Sequence, residues 1–214
     1  MAIDRGRIVD EAMALLNEVG IDKLTTRKLA ERLGVQQPAL YWHFKNKSAL
    51  LDAINSEMLA RYHSHRLPSP DEDWVDFTYA TSRSMRKTLL AVRDGARIAA
   101  GTRPSTTDFA DAELQLKFYV DAGFSAEEAL HISISMARYV VGYVLEEQGE
   151  RERMEEEVGQ DGDLDAELAP FPILAEAFRS LEKEGSINTE QAFERGLRYM
   201  VEGMRLSLAA KGQA

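Results

Sequence analysis

The 214-residue sequence contains no cysteine, which excludes disulfide bonds and any zinc site built from thiolates. Long apolar runs are absent and the first residues are polar and charged, so we expect neither a membrane span nor a secretory signal, and favour a cytoplasmic location. No stretch of useful length alternates apolar and polar residues as strands do. We therefore expect an all-α fold with no membrane partner, long enough to bury the core of one or two domains.

The formal net charge of −10 argues against a protein that coats nucleic acid without selectivity, but this charge is unevenly distributed. Residues 1–50 carry eight Lys or Arg against six Asp or Glu, whereas the remainder carries 18 against 30. Any binding to DNA should therefore be confined to the N-terminal part, and it should be selective for a site and sensitive to salt.

Residues 24–47 have the pattern of two short helices joined by a glycine turn, which is typical of a helix-turn-helix. Thr25 or Thr26 can cap the first helix, and Gly34 can supply the left-handed conformation that ends it. Pro38 falls in the first turn of the second helix, where its missing N–H has no intrahelical partner. In a helix-turn-helix this second helix enters the DNA major groove.

Side chains suited to DNA surround that second helix. Arg27 can bond guanine and Gln37 can bond adenine, while Tyr41 and its neighbours offer apolar surface to thymine methyl groups and polar groups to phosphates. The candidate set is Thr26, Arg27, Gln37, Pro38, Ala39, Tyr41, Trp42, His43 and Lys47. The alternative is an ordinary helical hairpin with solvated polar residues, but aromatic side chains beside cations favour DNA binding.

Beyond residue 48 the apolar spacing predicts further helices, beginning with a connecting helix from Ser48 to about His63. Two later helices, about 125–148 and 190–209, are apolar on more than one face. Such helices must be buried on two sides, which favours a homodimer with both helices in its interface. The alternative is a monomer in which they lie at the centre of the core.

Residues 149–169 are acidic and almost free of large apolar side chains. A segment of this composition cannot bury enough surface to stay ordered by itself, so we expect a flexible loop with frayed helix ends. A gate over a ligand pocket is the alternative role for such a loop.

These motifs resemble the TetR family of bacterial repressors. The resemblance rests on residues 15–20, 24–33, 40–43, 45–47, 93–96, 101–104, 115, 123–125 and 142–146. It implies a three-helix DNA-binding domain at 1–47 and a helical ligand-binding and dimerisation domain at 48–214. It also implies a homodimer that binds a palindromic DNA operator and answers a small-molecule inducer. The Gly-Thr-Arg-Pro segment at 101–104 is specific to the tetracycline-repressor branch.

The resemblance further implies a ligand pocket whose positions are only partly kept. The kept positions are His63, Thr102, Arg103, Pro104, Gln115 and Glu146. The family's pocket Asn, pocket Phe, magnesium-ligating His and partner-subunit His are replaced here by Thr81, Met85, Ala99 and Arg138. In the DNA-binding part, Ala39 stands where the family has a hydroxyl residue.

The replacements change what the pocket is expected to bind. Without an imidazole at Ala99, magnesium has no direct protein ligand there, and Met85 makes the pocket more adaptable. Arg138 can bind an anionic ligand group or form an interface salt bridge with Glu146. We expect no metal or cofactor and an inducer other than magnesium–tetracycline.

This interpretation has three alternatives. The first is a sensor of a tetracycline-type drug with altered metal dependence or none, and the second is a DNA-binding dimer that answers no ligand. The third, an enzyme, is not expected, because the sequence offers no cysteine nucleophile, metal cluster, phosphate-binding loop or serine–histidine–acid motif.

Overall fold

The computed structural model describes residues 3–102, 108–156, 164–182 and 190–211, and every regular element within these ranges is a helix. The expected all-α fold is therefore confirmed. The helices are α1 (Arg5–Val19), α2 (Thr26–Leu33), α3 (Gln37–Tyr41), α4 (Lys47–Tyr62), α5 (Trp74–Leu90), α6 (Gly95–Gly101), α7 (Asp108–Asp121), α8 (Ala126–Glu156), α9 (Leu164–Leu168), α10 (Pro172–Glu182) and α11 (Glu190–Lys211). Searching these ranges for an apolar helix of membrane-crossing length finds none.

Two compact units divide the chain, Met1–Leu145 and Glu146–Ala214. In the first unit, α1 packs on α2 and α4, and α2 packs on α3. Buried apolar side chains hold this N-terminal group together, namely Ile8, Leu16, Leu24, Leu29, Leu40 and Phe44. Burial of each such side chain contributes about 2 kcal/mol to the stability of the fold. Isolated helices this short are at best marginally stable in water, so packing and not helix propensity stabilises them.

Local hydrogen bonds set the starts of the N-terminal helices. The side chain of Asp4 accepts a hydrogen bond from Arg7 N at 2.8 Å, and that of Thr25 accepts from Lys28 N at 3.2 Å. Asn46 caps α4 in the same way, since its side chain accepts from Ala49 N at 2.8 Å. These polar caps satisfy N–H groups that have no partner inside the helix, so the helix boundaries follow from the local sequence.

The second half of the first unit has an aromatic centre. The Phe77 ring of α5 lies 5.3 Å from Phe118 and 6.1 Å from Tyr119 of α7, measured between ring centroids. Thr78 Oγ1 donates to Trp74 O at 2.6 Å, so the Tyr119 hydroxyl, 2.8 Å away, is left to donate to Thr78 Oγ1. This buried pairing keeps the tyrosine hydroxyl satisfied, and burial raises the pKa of Tyr119 to about 12.

The expected loop at 149–169 was wrong for most of its length. Residues 149–156 continue α8, and Leu164–Leu168 form α9, while residues 157–163 lie outside the described ranges. Arg151 donates to Glu147 at 2.7 Å across one helical turn, and Glu and Arg are good helix formers. Composition predicted a loop because it reflects the lack of apolar side chains. It does not reflect ion pairs between residues one helical turn apart.

The close packing of the backbone at Gly95, the first residue of α6, can be tested by substitution. A Cβ added at Gly95 would lie 2.3 Å from the carbonyl oxygen of Leu89. We expect Gly95→Ala to lower the free energy of unfolding by about 1–3 kcal/mol, because backbone must move to accept the methyl group. Urea unfolding at fixed protein concentration measures the change.

Gly101→Ala is the matched control, since no atom of the described residues lies within 4 Å of a Cβ added at Gly101 at the other end of α6. That variant should be neutral or more stable than wild type by up to about 1 kcal/mol. Equal stability of the two variants would contradict the close approach at Gly95.

Candidate functional site

The segment from α2 to α3 has the geometry of a helix-turn-helix, as the sequence predicts. α2 ends at Gly34, whose φ of 69° is the left-handed conformation that glycine adopts without strain. Val35 N then donates to Ala30 O at 3.0 Å and closes the turn. α3 follows at once with Pro38 in its first turn and the buried Leu40 facing the core.

Gln37 is oriented by two neighbours from the predicted DNA-binding set. Its Nε2 donates to Thr26 Oγ1 at 2.8 Å and to Tyr41 Oη at 3.2 Å. Both N–H bonds of the amide are thus used inside the protein, and the carbonyl oxygen Oε1 is its remaining polar group. In this state Gln37 offers an acceptor, and bidentate contact with a base requires one internal bond to open.

The other predicted DNA-binding residues are mostly at the surface. Trp42 is 90% exposed, and Pro38 and Tyr41 are exposed on the same short helix, whereas Ala39 and His43 are half-buried. Arg27 forms a salt bridge of 3.0 Å with Glu31 one turn along α2. Lys47 Nζ donates to Ile21 O at 3.1 Å. Exposed ion pairs of this kind contribute little stability, so Arg27 can exchange its partner readily.

His63, directly after α4, is held by a serine of α5. Its Nδ1 lies 2.8 Å from Ser84 Oγ. Burial lowers the pKa of His63 to about 4, and the positive charges of Arg66 and His65 act in the same direction. The ring is therefore neutral near pH 7, with one N–H and one unprotonated nitrogen.

Gln115 on α7 is tied to the same segment. Its Nε2 donates to the backbone oxygen of Arg66 at 2.6 Å, and the Arg66 guanidinium pairs with Asp111, one turn before Gln115. α7 is thereby fixed against the residues that follow α4. The Oε1 atom of Gln115 is the group that can serve an additional partner.

The remaining predicted ligand residues are spread over several helices. Thr81 and Met85 are half-buried and lie one turn apart on α5. Ala99 is half-buried near the end of α6, where Thr102 Oγ1 donates to Ala99 O at 3.2 Å. Arg138 and Glu146 are exposed on α8. The predictions at Arg103 and Pro104 lie outside the described residues.

The donor set does not fit a magnesium ion bound through the position of Ala99. A methyl group supplies no ligand, and over the described part of the chain no three His or carboxylate side chains come together as a metal site. Magnesium requires oxygen or nitrogen donors in near-octahedral geometry. No step of the function is therefore assigned to a metal.

One polar cluster was missed in the sequence. The carboxylate of Asp94, at the start of α6, is 6% exposed and accepts a hydrogen bond from Ile21 N at 2.7 Å. Arg97 donates to Asp94 at 2.9 Å and makes two hydrogen bonds of 2.9 Å to Asp22. We call these four residues, Ile21, Asp22, Asp94 and Arg97, the α6 clamp. It joins α6 to the turn between α1 and α2.

No local signal could have identified the α6 clamp, because its two halves are more than 70 residues apart in sequence. Arg93, next to the clamp, adds a hydrogen bond of 2.9 Å from its backbone N to Asn17 Oδ1. Attraction between charges also holds the outer pair, since Arg97 lowers the pKa of Asp22 through their hydrogen bonds.

The chain is similar to known proteins over most of its length. Residues 8–54 match the family model of bacterial regulatory proteins, tetR family, and residues 67–208 match that of the tetracyclin repressor-like C-terminal domain. The tetracycline repressor protein class A from transposon 1721 of Escherichia coli is 48% identical over 92% of this chain and 88% of its own length. The class G protein of Vibrio anguillarum is 45% identical over 97% and 96%.

Solved structures agree with these matches. TetR from Acinetobacter baumannii AYE is 43% identical, with a TM-score of 0.74 over 95% of this chain and 97% of that one. The structure of TetR(class A) in complex with 5a,6-anhydrotetracycline and magnesium is 42% identical, with a TM-score of 0.71 over 95% and 98%. The similarity therefore extends over nearly the full length of both chains.

His63 makes stability depend on pH in a defined direction. Between its ordinary pKa of 6.5 and its folded pKa of about 4, the unfolded chain binds a proton that the folded chain does not. Stability from the neutral ring is present above pH 6.5 and is lost as the pH falls toward 4. His63→Asn has no imidazole to protonate. Between about pH 7.5 and about pH 5, its free energy of unfolding should therefore fall less than that of wild type, by an amount on the order of 1 kcal/mol.

Urea unfolding of wild type and variant at the two pH values measures that difference. His131→Asn serves as the control, since the His131 side chain is 74% exposed. An identical pH dependence in wild type and His63→Asn would show that His63 is not held neutral in the folded protein.

Proposed function

We propose that this chain, which belongs to the tetR family of bacterial regulatory proteins, is a homodimeric transcriptional repressor. A small molecule would release it from a palindromic operator. Its matched relatives are transcriptional regulators and not enzymes. The observation that carries the proposal is the α2–Gly34–α3 geometry with Gln37 set at its surface. The division into a DNA-binding part, 1–47, and a ligand-binding part, 48–214, belongs to the same proposal.

Base recognition is assigned to the side chains at the start of α3 and α2. The exposed Arg27 guanidinium suits guanine, and Gln37 Oε1 suits the amino group of adenine. Pro38 and Tyr41 offer apolar surface to thymine methyl groups, while Ala39 lacks a hydroxyl for a further contact. Phosphate contacts are assigned to the polar groups of Thr26, Tyr41, His43 and Lys47, with Trp42 beside them.

Dimerisation is supported by apolar side chains at the surface of each unit, taken separately. On α8 the first unit exposes Leu130 and Ile134, one turn apart. On α11 the second unit exposes Tyr199 and Leu206. Helices of this kind gain from a second copy that covers them, and a dimer would present two α3 helices to the two halves of a palindrome.

The inducer proposed here is a compound other than magnesium–tetracycline. The supporting observation is chemical: Ala99 offers no metal ligand, and Thr81 and Met85 give a wall of smaller polar and adaptable apolar groups. His63 and Gln115 supply polar contacts, with Thr102, Arg103 and Pro104 in the adjoining segment. Arg138 of the first unit is assigned to ligand binding, where it can bind an anionic group, and Glu146 is a ligand-binding candidate of the second unit.

Release from DNA is proposed to pass through α6. Ala99 and Thr102 lie at one end of this helix, and the α6 clamp lies at the other, against the turn between α1 and α2. A ligand that prefers a shifted α6 would favour a state with the DNA-binding helices displaced. The extent of release is limited by the ratio of ligand affinities for the two states.

A sensor of tetracycline-type drugs with little or no metal dependence is the second candidate. Identity of 48% with the class A tetracycline repressor favours it. The two candidates differ in one respect that is simple to measure, the response to tetracycline with and without magnesium.

The experiment that tests the function is binding to palindromic DNA from the protein's own promoter region, followed by a release screen. Purified protein should shift this fragment at low salt, with affinity falling steeply as salt rises. A compound from a small-molecule library should release it, while tetracycline with magnesium should not. Absence of any specific shift at low salt would refute the repressor function, and release by tetracycline would support the second candidate.

Two alanine variants separate base recognition from phosphate contact. Gln37→Ala should weaken operator binding by about 10- to 100-fold and relax selectivity at one base pair, because it removes a base contact. Lys47→Ala should weaken binding to all sequences alike and reduce the slope of log affinity against log salt by about 1. Fluorescence anisotropy with matched and substituted operators measures both quantities.

Lys117→Ala is the control for the loss of a positive charge, because Lys117 lies on α7 and pairs with Asp121 at 2.6 Å. Its operator affinity and salt dependence should equal those of wild type. A loss as large as that of Lys47→Ala would mean that overall charge, and not the α2–α3 surface, determines binding.

A further inference from the structure

Ser84 on α5 is the meeting point of three groups from the segment after α4. The hydroxyl oxygen of Ser84 lies 2.8 Å from His63 Nδ1, 3.2 Å from the backbone N of His65 and 3.4 Å from Ser64 Oγ. Ser84 itself is 8% exposed, so water has little access to this hydroxyl. Its hydrogen bonds are therefore settled among these neighbours.

The possible directions of these bonds are few. A serine hydroxyl has one hydrogen to donate and two lone pairs to accept. His65 N–H can only donate, so it occupies one lone pair of Ser84 Oγ. The Ser84 hydrogen then goes either to His63 Nδ1 at 2.8 Å or to Ser64 Oγ at 3.4 Å.

Distance and basicity favour His63 Nδ1 as the acceptor of the Ser84 hydrogen. An unprotonated imidazole nitrogen is a strong acceptor, and 2.8 Å is an ordinary hydrogen-bond length, whereas 3.4 Å is long for two hydroxyl groups. When the Ser84 hydroxyl donates its hydrogen bond to His63 Nδ1, the Ser64 hydroxyl can donate to the second lone pair of Ser84 Oγ. In this arrangement no two hydrogens point at each other among Ser84, His63 Nδ1, His65 N and Ser64.

We propose that Ser84 is a positioning residue that holds His63 in the tautomer with Nδ1 unprotonated and the hydrogen on Nε2. Burial lowers the pKa of His63, so the ring is neutral near pH 7 and its single hydrogen lies on either Nδ1 or Nε2. A change of side chain at Ser84 acts on a ligand only through the orientation and tautomer of His63.

The tautomer defines the ligand chemistry that His63 can recognise. With Nδ1 engaged, the ring presents Nε2–H and is a donor only, so it suits a carbonyl, enolate or carboxylate oxygen. A ligand that places a hydroxyl or amine hydrogen there would face another hydrogen and bind less well. This inference rests on the proposed function, since it assigns His63 to the inducer site.

The test is the nitrogen spectrum of the ligand-free, full-length protein labelled with ¹⁵N-histidine, with His63→Gln used to assign the signals. We expect wild-type His63 to show an unprotonated Nδ1 and a protonated Nε2 near pH 7. Ser84→Ala should lose this preference and give a mixture of both tautomers, and Ser84→Thr should restore it through its own hydroxyl. A protonated Nδ1 or a mixture in wild type would overturn the proposal.

Ser82→Ala is the matched control, because Ser82 is 2% exposed on the same helix and its Oγ has no hydrogen-bond partner in the described structure. Its His63 signals should match those of wild type. An unchanged tautomer in Ser84→Ala would likewise overturn the role of Ser84. Because no ligand or DNA is present, failure here is distinguishable from failure of the repressor function, which the operator shift tests separately.

Discussion

The buried carboxylate of Asp94 is the constraint on which the arrangement of the first unit depends. It is 6% exposed and accepts hydrogen bonds from Arg97 of α6 itself and from Ile21 N–H, and the Ile21 bond is kept only while α6 meets the turn between α1 and α2. A hydrogen bond to a charged group contributes about 1.5–3 kcal/mol, so displacement of α6 from this turn carries a definite energetic cost. Gly95, immediately after it, allows a backbone approach to the Leu89 carbonyl that a side chain would prevent.

The same constraint gives the proposed function a physical route. α6 carries Ala99 at one end and the α6 clamp at the other, and α4, whose C-terminal end precedes His63, packs against it. A packed and hydrogen-bonded helix moves between discrete arrangements and does not deform continuously. A ligand at the pocket end therefore needs to favour only one alternative arrangement of α6 to affect the helices that would contact DNA. The serine-held ring of His63 fits this view, since a fixed donor can distinguish between two positions of a ligand or helix.

Sequence alone predicted the features that local chemistry determines. Gly34 ends α2 and Pro38 lies in the first turn of α3, and Thr25, one of the two predicted caps, accepts from a backbone N–H three residues along the chain. The α6 clamp and the Ser84 contact could not be predicted, because their partners come from distant parts of the chain. The error at 149–156 has the opposite cause, since short-range ion pairs such as Glu147–Arg151 support a helix that composition alone does not indicate. The roles of individual residues toward DNA and ligand stay predictions.

We propose that α6 transmits ligand binding to the DNA-binding helices through the α6 clamp. The most direct test is the operator affinity of wild type and Asp22→Asn, each with and without the inducer found by the release screen. Asp22→Asn weakens the outer half of the clamp, where Arg97 makes two hydrogen bonds of 2.9 Å, and leaves the buried Asp94 intact. We expect the inducer to lower operator affinity less in Asp22→Asn than in wild type, with the two factors differing by about threefold or more. Asp121→Asn, which breaks an exposed pair on α7, should keep the wild-type factor. The same factor in all three proteins would contradict the claim.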